Sequence, residues 1–86
     1  MPKRQKILEH KILRILKDCG EYMLPEESLH DQLRVSIRPP PTTAEINEAV
    51  QNLDSDLKIL GVREDDEVKY KLTARGVAAL VEAEQV

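Results

Sequence analysis

Apolar residues in the first part of the chain recur at intervals of three and four positions. Between residues 4 and 19 this spacing places one broad stripe along a helix, formed by Ile7, Leu8, Ile12, Leu13, Ile15, Leu16 and Cys19. Gly20 follows directly, and glycine is the residue that most often ends a helix in the left-handed conformation. The pattern therefore predicts a first helix over residues 4–19.

A second and a third helix are predicted on either side of a proline-rich turn. The second helix runs from residue 25 to residue 36. It follows a short apolar run at 22–24, which is a candidate minimal strand. Pro39–Pro41 ends it, because proline lacks the amide donor and clashes with the preceding helical turn. Thr42 and Glu45 then have the spacing of a capping box, which predicts the start of the third helix. Its apolar face continues to Gly61 through Ile46, Ala49, Val50, Leu53, Leu57 and Leu60.

After Gly61 the apolar period changes from 3.6 residues to two. Residues 62–72 begin with Val62, continue through an acidic run at 64–67 and then alternate apolar side chains with lysines. This pattern predicts an antiparallel β-hairpin with an acidic tip. Thr73 is placed to cap a last helix over 73–84, whose inward positions are predicted to be Val77, Leu80 and Val81. This helix is also a candidate homodimer interface. The alternative is that its apolar stripe packs entirely in the core of the same chain.

The succession of elements resembles the winged helix-turn-helix superfamily over nearly the whole chain. The resemblance is carried by Thr42–Ile46, which open the third helix, by Leu57–Gly61, which close it, and by Lys69–Gly76. The last stretch is similar to the wing strand and following helix start of MarR-like and PadR-like bacterial regulators, where a YxLTxxG pattern is frequent. The resemblance implies an α+β winged helix in a single domain over residues 1–86. It would contain a three-helix bundle, a small antiparallel β-hairpin wing and a C-terminal helix.

The resemblance also implies the function of a small DNA-binding protein that regulates transcription. DNA-binding members of the superfamily place the third helix in the major groove and the wing on the DNA backbone or minor groove. The exposed side of the third helix carries amide and hydroxyl side chains, which can bond adenine or touch a thymine methyl group. The candidate base-reading residues are Thr43, Asn47, Gln51, Ser55 and Lys58. The candidate contacts to the DNA backbone are Arg34, Arg38, Arg63, Lys69 and Lys71. A polar helix face that contacts only water is the competing interpretation.

The charge distribution argues against DNA and supports a different class of partner. Affinity for double-stranded DNA depends on neutralising phosphates with lysine and arginine, yet the third helix offers Lys58 against Glu45, Glu48, Asp54 and Asp56. Residues 1–17 hold six basic side chains and one acidic side chain, a net charge of +5, whereas residues 18–86 hold seven basic and fifteen acidic ones, a net charge of −8. The alternative function is therefore a protein-interaction module that does not bind DNA. It would meet a basic or an acidic protein through the third helix and wing, or through the first helix.

Composition excludes several other classes of protein. Cys19 is the one cysteine, so an internal disulfide and a four-thiolate zinc site are impossible, and the free thiol favours the cytoplasm. Two tyrosines are too few aromatic side chains for a single-stranded nucleic-acid platform. His10 and Cys19 lie about 13–14 Å apart along the predicted first helix, too far apart to bind one metal ion together. No glycine-rich phosphate-binding loop is present. No catalytic, metal or cofactor site is predicted, and the chain is not expected to be an enzyme. No apolar run is long enough to cross a membrane.

Overall fold

The computed structural model describes residues 3–20 and 22–84, with only the backbone of Lys3. Residues 1, 2, 21, 85 and 86, which the predicted single domain includes, lie outside the described residues. The described part contains four helices and three strands in the predicted α+β order. Their bounds are α1 Lys3–Asp18, β1 Leu24–Pro25, α2 Glu26–Ser36, α3 Thr43–Ser55, β2 Ile59–Glu64, β3 Glu67–Leu72 and α4 Ala74–Glu84. None of the described helices is both long and apolar enough to span a bilayer.

An aliphatic core joins the helices to the sheet, with α1 contributing more residues than any other element. The fully buried side chains include Leu8, Ile12 and Leu16 of α1, which pack with Leu29, Leu33, Ile46, Leu53, Ile59 and Leu80 from the other elements. Burial of each such side chain stabilises the fold by about 1.5–3 kcal/mol. The helical stripe predicted for α1 is therefore largely the core face. Ile7 at its edge is the exception, because more than half of its surface is exposed.

The third helix ends at Ser55, so the prediction that it continues to Gly61 is wrong. Leu57 has a positive φ of 61°, the left-handed conformation that commonly follows the end of a helix, and the Lys58 amide donates back to the Leu53 carbonyl at 2.9 Å. Ile59 is then only 2% exposed and enters the core, whereas Leu60 is 51% exposed. The spacing of Leu57 and Leu60 continues the helical period and predicted that both would face the core. Ile59 packs in the core instead, and a helix that continued past Ser55 would not point Ile59 toward the core. Residues 59–61 consequently belong to β2.

The sheet is antiparallel with the order β1-β3-β2, so the predicted hairpin gains a third strand. In β2 and β3, Ile59 pairs with Leu72 and Glu64 pairs with Glu67. The candidate strand at 22–24 is confirmed in part, because Leu24 pairs with Tyr70 and the strand continues to Pro25. At the tip of the hairpin Asp65 and Asp66 have φ values of 47° and 66°. Two positive φ values belong to a tight two-residue turn whose twist matches the flanking strands.

The start of α4 is held closely against the turn between α3 and β2. The Thr73 hydroxyl accepts a hydrogen bond from the Gly76 amide at 3.1 Å and donates one to the Leu57 carbonyl at 2.6 Å, so the predicted cap is confirmed. A side chain at Gly76 would collide with the Lys58 carbonyl oxygen and lie 2.8 Å from Leu72 Cδ1. These contacts explain why a threonine and a glycine three residues apart follow β3.

The inward face of α4 is narrower than the sequence predicts. Leu80 is fully buried, but Val77 and Val81 are each 40% exposed. Both valines therefore lie at the side of the helix, where the core of the chain covers only part of their surface. The prediction that they point into the core is wrong in that respect.

Candidate nucleic-acid interface

The exposed side of α3 carries a row of polar side chains whose position is set by the helix start. The Thr42 hydroxyl accepts a hydrogen bond from the Glu45 amide at 3.1 Å, and the Glu45 carboxylate accepts one from the Thr42 amide at 3.0 Å. The predicted capping box is thus confirmed. Thr43, Asn47 and Gln51 follow at intervals of four residues and are all exposed, so they form one row along the helix surface. Ser55, the last residue of α3, extends this row.

Arg34 connects the preceding helix to the beginning of this row. It lies in the last turn of α2 and is exposed. Its Nη2 atom donates a hydrogen bond to Thr43 Oγ1 at 2.9 Å. Two residues predicted separately, one for the DNA backbone and one for the bases, are therefore in direct contact. The contact leaves a guanidinium group beside the first exposed position of α3.

An open groove lies between α3 and the hairpin and brings three further predicted residues together. Asn47 and Gln51 line it from the helix, and Arg63 lines it from β2. The groove has a volume of about 390 Å³, and its remaining lining comes from Val50, Asp54, Gly61, Val68 and Tyr70. A cation on the hairpin therefore stands across a cleft from the amide side chains of the helix.

Tyr70 is a lining residue of this groove that the sequence did not identify as a functional candidate. Its ring lies over Gly61, where an added Cβ would be 3.2 Å from Cε1. Burial raises the pKa of the Tyr70 hydroxyl, and the nearby carboxylates of Glu26 and Asp54 raise it further. The phenol therefore stays neutral at physiological pH and is available as a hydrogen-bond donor and acceptor. Its place in the alternation of Val68, Tyr70 and Leu72 was the available signal, but that alternation indicated only core packing.

The hairpin divides its three predicted cations between two faces. Residues directly opposite each other in an antiparallel pair point to the same face. Arg63 pairs with Val68 and therefore shares the groove side. Lys69 pairs with Val62, and Lys71 pairs with Leu60. Both lysines lie one position out of phase with Val68 and Tyr70, so they belong to the opposite, outer face of the sheet.

Two other predicted residues lie away from the exposed row of α3. Arg38 lines a separate groove of about 500 Å³ with Arg4, Ile7, Ser36 and Ile37, on the α1 side of the turn between α2 and α3. Lys58 follows the end of α3, so the prediction that it lies on the exposed side of the third helix is wrong. The Lys58 ammonium lies 3.8 Å from the carboxylate of Asp56.

The fold of the chain is similar to that of a solved transcription-factor structure. The X-ray structure of a PadR-like transcription factor from Bacteroides fragilis matches with a TM-score of 0.75 and 21% sequence identity, over 95% of this chain and 81% of that chain. The chain has the winged-helix fold. The fold class predicted from the order of elements is confirmed, with α3 as the third helix of the bundle and β2–β3 as the wing. No protein-family model and no curated protein sequence matches the chain.

Two of the four acids assigned to the third helix are paired with cations in the winged helix, and within its described residues the other two are not. Glu45 binds Arg4 at 2.6 Å, and Asp56 lies near Lys58. A hydrogen bond from the Thr42 backbone lowers the pKa of Glu45, and Arg4 lowers it further. Among the described residues, Glu48 and Asp54 have no cation within 4.0 Å. The acidic tip of the wing, residues 64–67, is exposed and continues to count against a contact between the tip and DNA phosphates.

Proposed function

We propose that this winged helix is a small DNA-binding protein that regulates transcription, with α3 as its recognition helix. The observation that carries the proposal is the exposed row of Thr43, Asn47 and Gln51, which has Arg34 at its beginning and Arg63 across the adjacent groove. Similarity to a PadR-like transcription factor supports the same function. In helix-turn-helix proteins the recognition helix enters the major groove and contacts base edges with residues near its N-terminus.

Each residue of the row has a role that follows from its chemistry. Asn47 and Gln51 would donate to and accept from adenine, and the Thr43 methyl group would contact a thymine methyl. Ser55, at the other end of the helix, would add a weaker hydrogen bond. Arg34 and Arg63 would bind phosphates on the two sides of the helix, which fixes the orientation of the protein without reading sequence.

The remaining predicted cations would contribute less than Arg34 and Arg63. Lys69 and Lys71 belong to the outer face of the wing and Arg38 to the groove beside α1. Lys58 is close to Asp56. We therefore propose that these four side chains attract DNA at longer range, within the screening length of about 8–10 Å, and that a short duplex is bound mainly through Arg34 and Arg63.

The proposed regulator would act in the cytoplasm, as a homodimer and without a cofactor. Val77 and Val81, each 40% exposed on α4, are the apolar side chains that a second copy would cover. A two-fold dimer presents two recognition helices to half-sites one helical turn apart, about 34–36 Å between centres. A molar mass measured by light scattering at twice that of the chain, lost in V77E/V81E, is the expected result.

Binding to duplex DNA at two salt concentrations tests the function directly. With two phosphate contacts in each protomer, the affinity for a mixed-sequence duplex should fall about twelvefold for a single bound protomer and about 150-fold for a bound dimer between roughly 50 and 200 mM salt. R34A/R63A should lose most of the affinity, whereas K17A, on the exposed side of α1, is the matched control and should keep it. Absence of binding at the lower salt concentration contradicts the proposal, and would direct attention to a protein partner.

A further inference from the structure

Arg4 joins three parts of the molecule at the beginning of the recognition helix. It lies in the first turn of α1, and its Nε atom is 2.6 Å from Glu45 Oε2. Its Nη2 atom donates a second hydrogen bond to the Pro39 carbonyl at 2.7 Å. Pro39 belongs to the turn between α2 and α3, and Glu45 belongs to the first turn of α3. One guanidinium group therefore binds both the turn and the helix start to α1. A guanidinium carries several donors in one plane and can make both hydrogen bonds at once, whereas a lysine ammonium is less suited to do so.

Glu45 is held by both of its oxygen atoms. Oε1 accepts the Thr42 amide in the capping box, and Oε2 accepts Arg4. On the other side of the helix start, Arg34 holds Thr43. Residues two positions apart on a helix point in nearly opposite directions, about 200° around the axis. The first turn of α3 is thus held from two sides by two arginines that come from different helices.

We propose that Arg4 is a positioning residue for the recognition helix. It fixes the angle at which α3 leaves the turn, and it compensates the Glu45 charge at the end of the helix where a DNA phosphate would approach. Arg4 does not itself need to touch DNA for this role. The inference rests on the proposed DNA-binding function and adds the element that aligns Thr43 and Asn47 with the bases.

A role in positioning differs measurably from a contact with phosphate. A residue that binds phosphate changes the slope of log affinity against log salt by about 0.9 per bound protomer when it is removed. We expect R4A to weaken duplex binding about fivefold to tenfold while that slope changes by clearly less than about 0.9 per bound protomer, because no phosphate contact is lost and only the repulsion from the uncompensated Glu45 carboxylate depends on salt. The DNA affinity of R4K should lie between those of R4A and the wild type, because lysine keeps the charge but lacks the planar set of donors of a guanidinium.

A double-mutant cycle with E45Q tests the pair itself. E45Q keeps an oxygen that can accept the Thr42 amide but removes the charge that Arg4 compensates. R4A/E45Q should therefore bind DNA more tightly than R4A, since no uncompensated carboxylate remains beside the helix start. K6A is the matched control: Lys6 is exposed on the same helix and, among the described residues, has no carboxylate within 4.0 Å. It should behave as the wild type.

Amide hydrogen exchange without DNA provides a readout that does not depend on the proposed function. Exchange in residues 42–46 should be faster in R4A than in the wild type and unchanged in K6A, while exchange in the core of α1 stays slow. Wild-type DNA affinity in R4A, a salt slope reduced by about 0.9 per bound protomer, or unchanged exchange in 42–46 would each overturn the proposal. If R4A does not fold, R4K and E45Q supply the same comparisons. If the wild-type chain does not bind DNA at all, the proposed function fails, and exchange alone then decides whether Arg4 holds the helix start.

Discussion

The two ends of α3 are held by different physical means. Its beginning is held by polar contacts at a partly exposed surface: the Thr42–Glu45 capping box, Arg4 and Arg34. The turn that directly follows its end, residues 56–58, is held by close packing, where Gly76 of α4 lies against the Lys58 carbonyl. The Thr73 hydroxyl also donates to the Leu57 carbonyl there.

The difference between these ends indicates how the candidate interface can change. Charge-assisted hydrogen bonds at an exposed surface weaken with salt and with protonation, and each contributes little to global stability. Steric contacts between backbone segments have no such dependence, and they do not tolerate added volume. We therefore expect the end of α3 to determine whether the chain folds and the beginning to determine how the exposed row is oriented.

The largest effect is expected from Gly76→Ala, which adds a methyl group at the packed end. The new Cβ would collide with the Lys58 carbonyl, so unfolding in urea should show a loss of about 3 kcal/mol. In an unobstructed helix the same change would stabilise by about 1 kcal/mol. Ala78→Gly, on the exposed side of α4, is the matched control and should cost about 1 kcal/mol. A G76A variant as stable as the wild type would contradict the close approach of α4 to the turn that follows α3.

A smaller effect is expected at the polar end from Thr42→Ala. This change removes the hydroxyl that accepts the Glu45 amide, and loss of such a cap costs about 1 kcal/mol. Thr42→Ser keeps the hydroxyl and should remain close to the wild type in the same urea titration. Should T42A destabilise as strongly as G76A, the division between a steric end and a polar end would not hold.

Leu57→Gly should have an effect of the opposite sign. Leu57 is exposed and has a φ of 61°, a conformation that costs a leucine about 1 kcal/mol or more but costs glycine almost nothing. After allowance for the greater freedom of glycine in the unfolded chain, a gain of roughly 0.5 kcal/mol is expected in thermal unfolding. Leu60→Gly, an exposed leucine in the extended β2 strand, should instead lose stability. A loss in L57G would show that the leucine side chain makes contacts that outweigh the backbone strain.

The smallest effect concerns pH and the charge of Glu45. The Thr42 amide and then Arg4 lower the pKa of this carboxyl below its ordinary value of 4.5. Its contribution to stability is therefore fully present above that ordinary value and is lost as the pH falls through the lower, folded-state pKa. The stability difference between the wild type and E45Q should shrink between about pH 6 and pH 3. A difference that stays constant over this range would mean that the charge of Glu45 does not contribute.

The exposed row of α3 could be predicted from sequence because its determinants are local. The capping box needs residues three positions apart, and the spacing of Thr43, Asn47 and Gln51 follows from the helical period. The contact between Arg34 and Thr43 spans a turn of irregular backbone. No periodicity extends through such a turn, and so the two residues were predicted for the same surface but not as a pair.

The cations of the wing show a different limit of sequence reasoning. Arg63, Lys69 and Lys71 were treated as one group because they lie in one hairpin. Their division between two faces depends on the register, which pairs Arg63 with Val68 across a two-residue turn at Asp65 and Asp66. Since a shift of one residue would exchange the two faces, the alternation alone could not decide which cations share the groove with α3.

By itself, the sequence determined the order of helices and strands, the start of α3 and the polar character of its exposed side. These properties depend on neighbours within one or two helical turns, so a linear pattern contains them. The tertiary structure alone decided the end of α3, the face of each wing cation and the pairing of Arg4 with Glu45, which lie 41 positions apart. Each of these is set by contacts between distant segments. Such contacts form only when the aliphatic core brings those segments together.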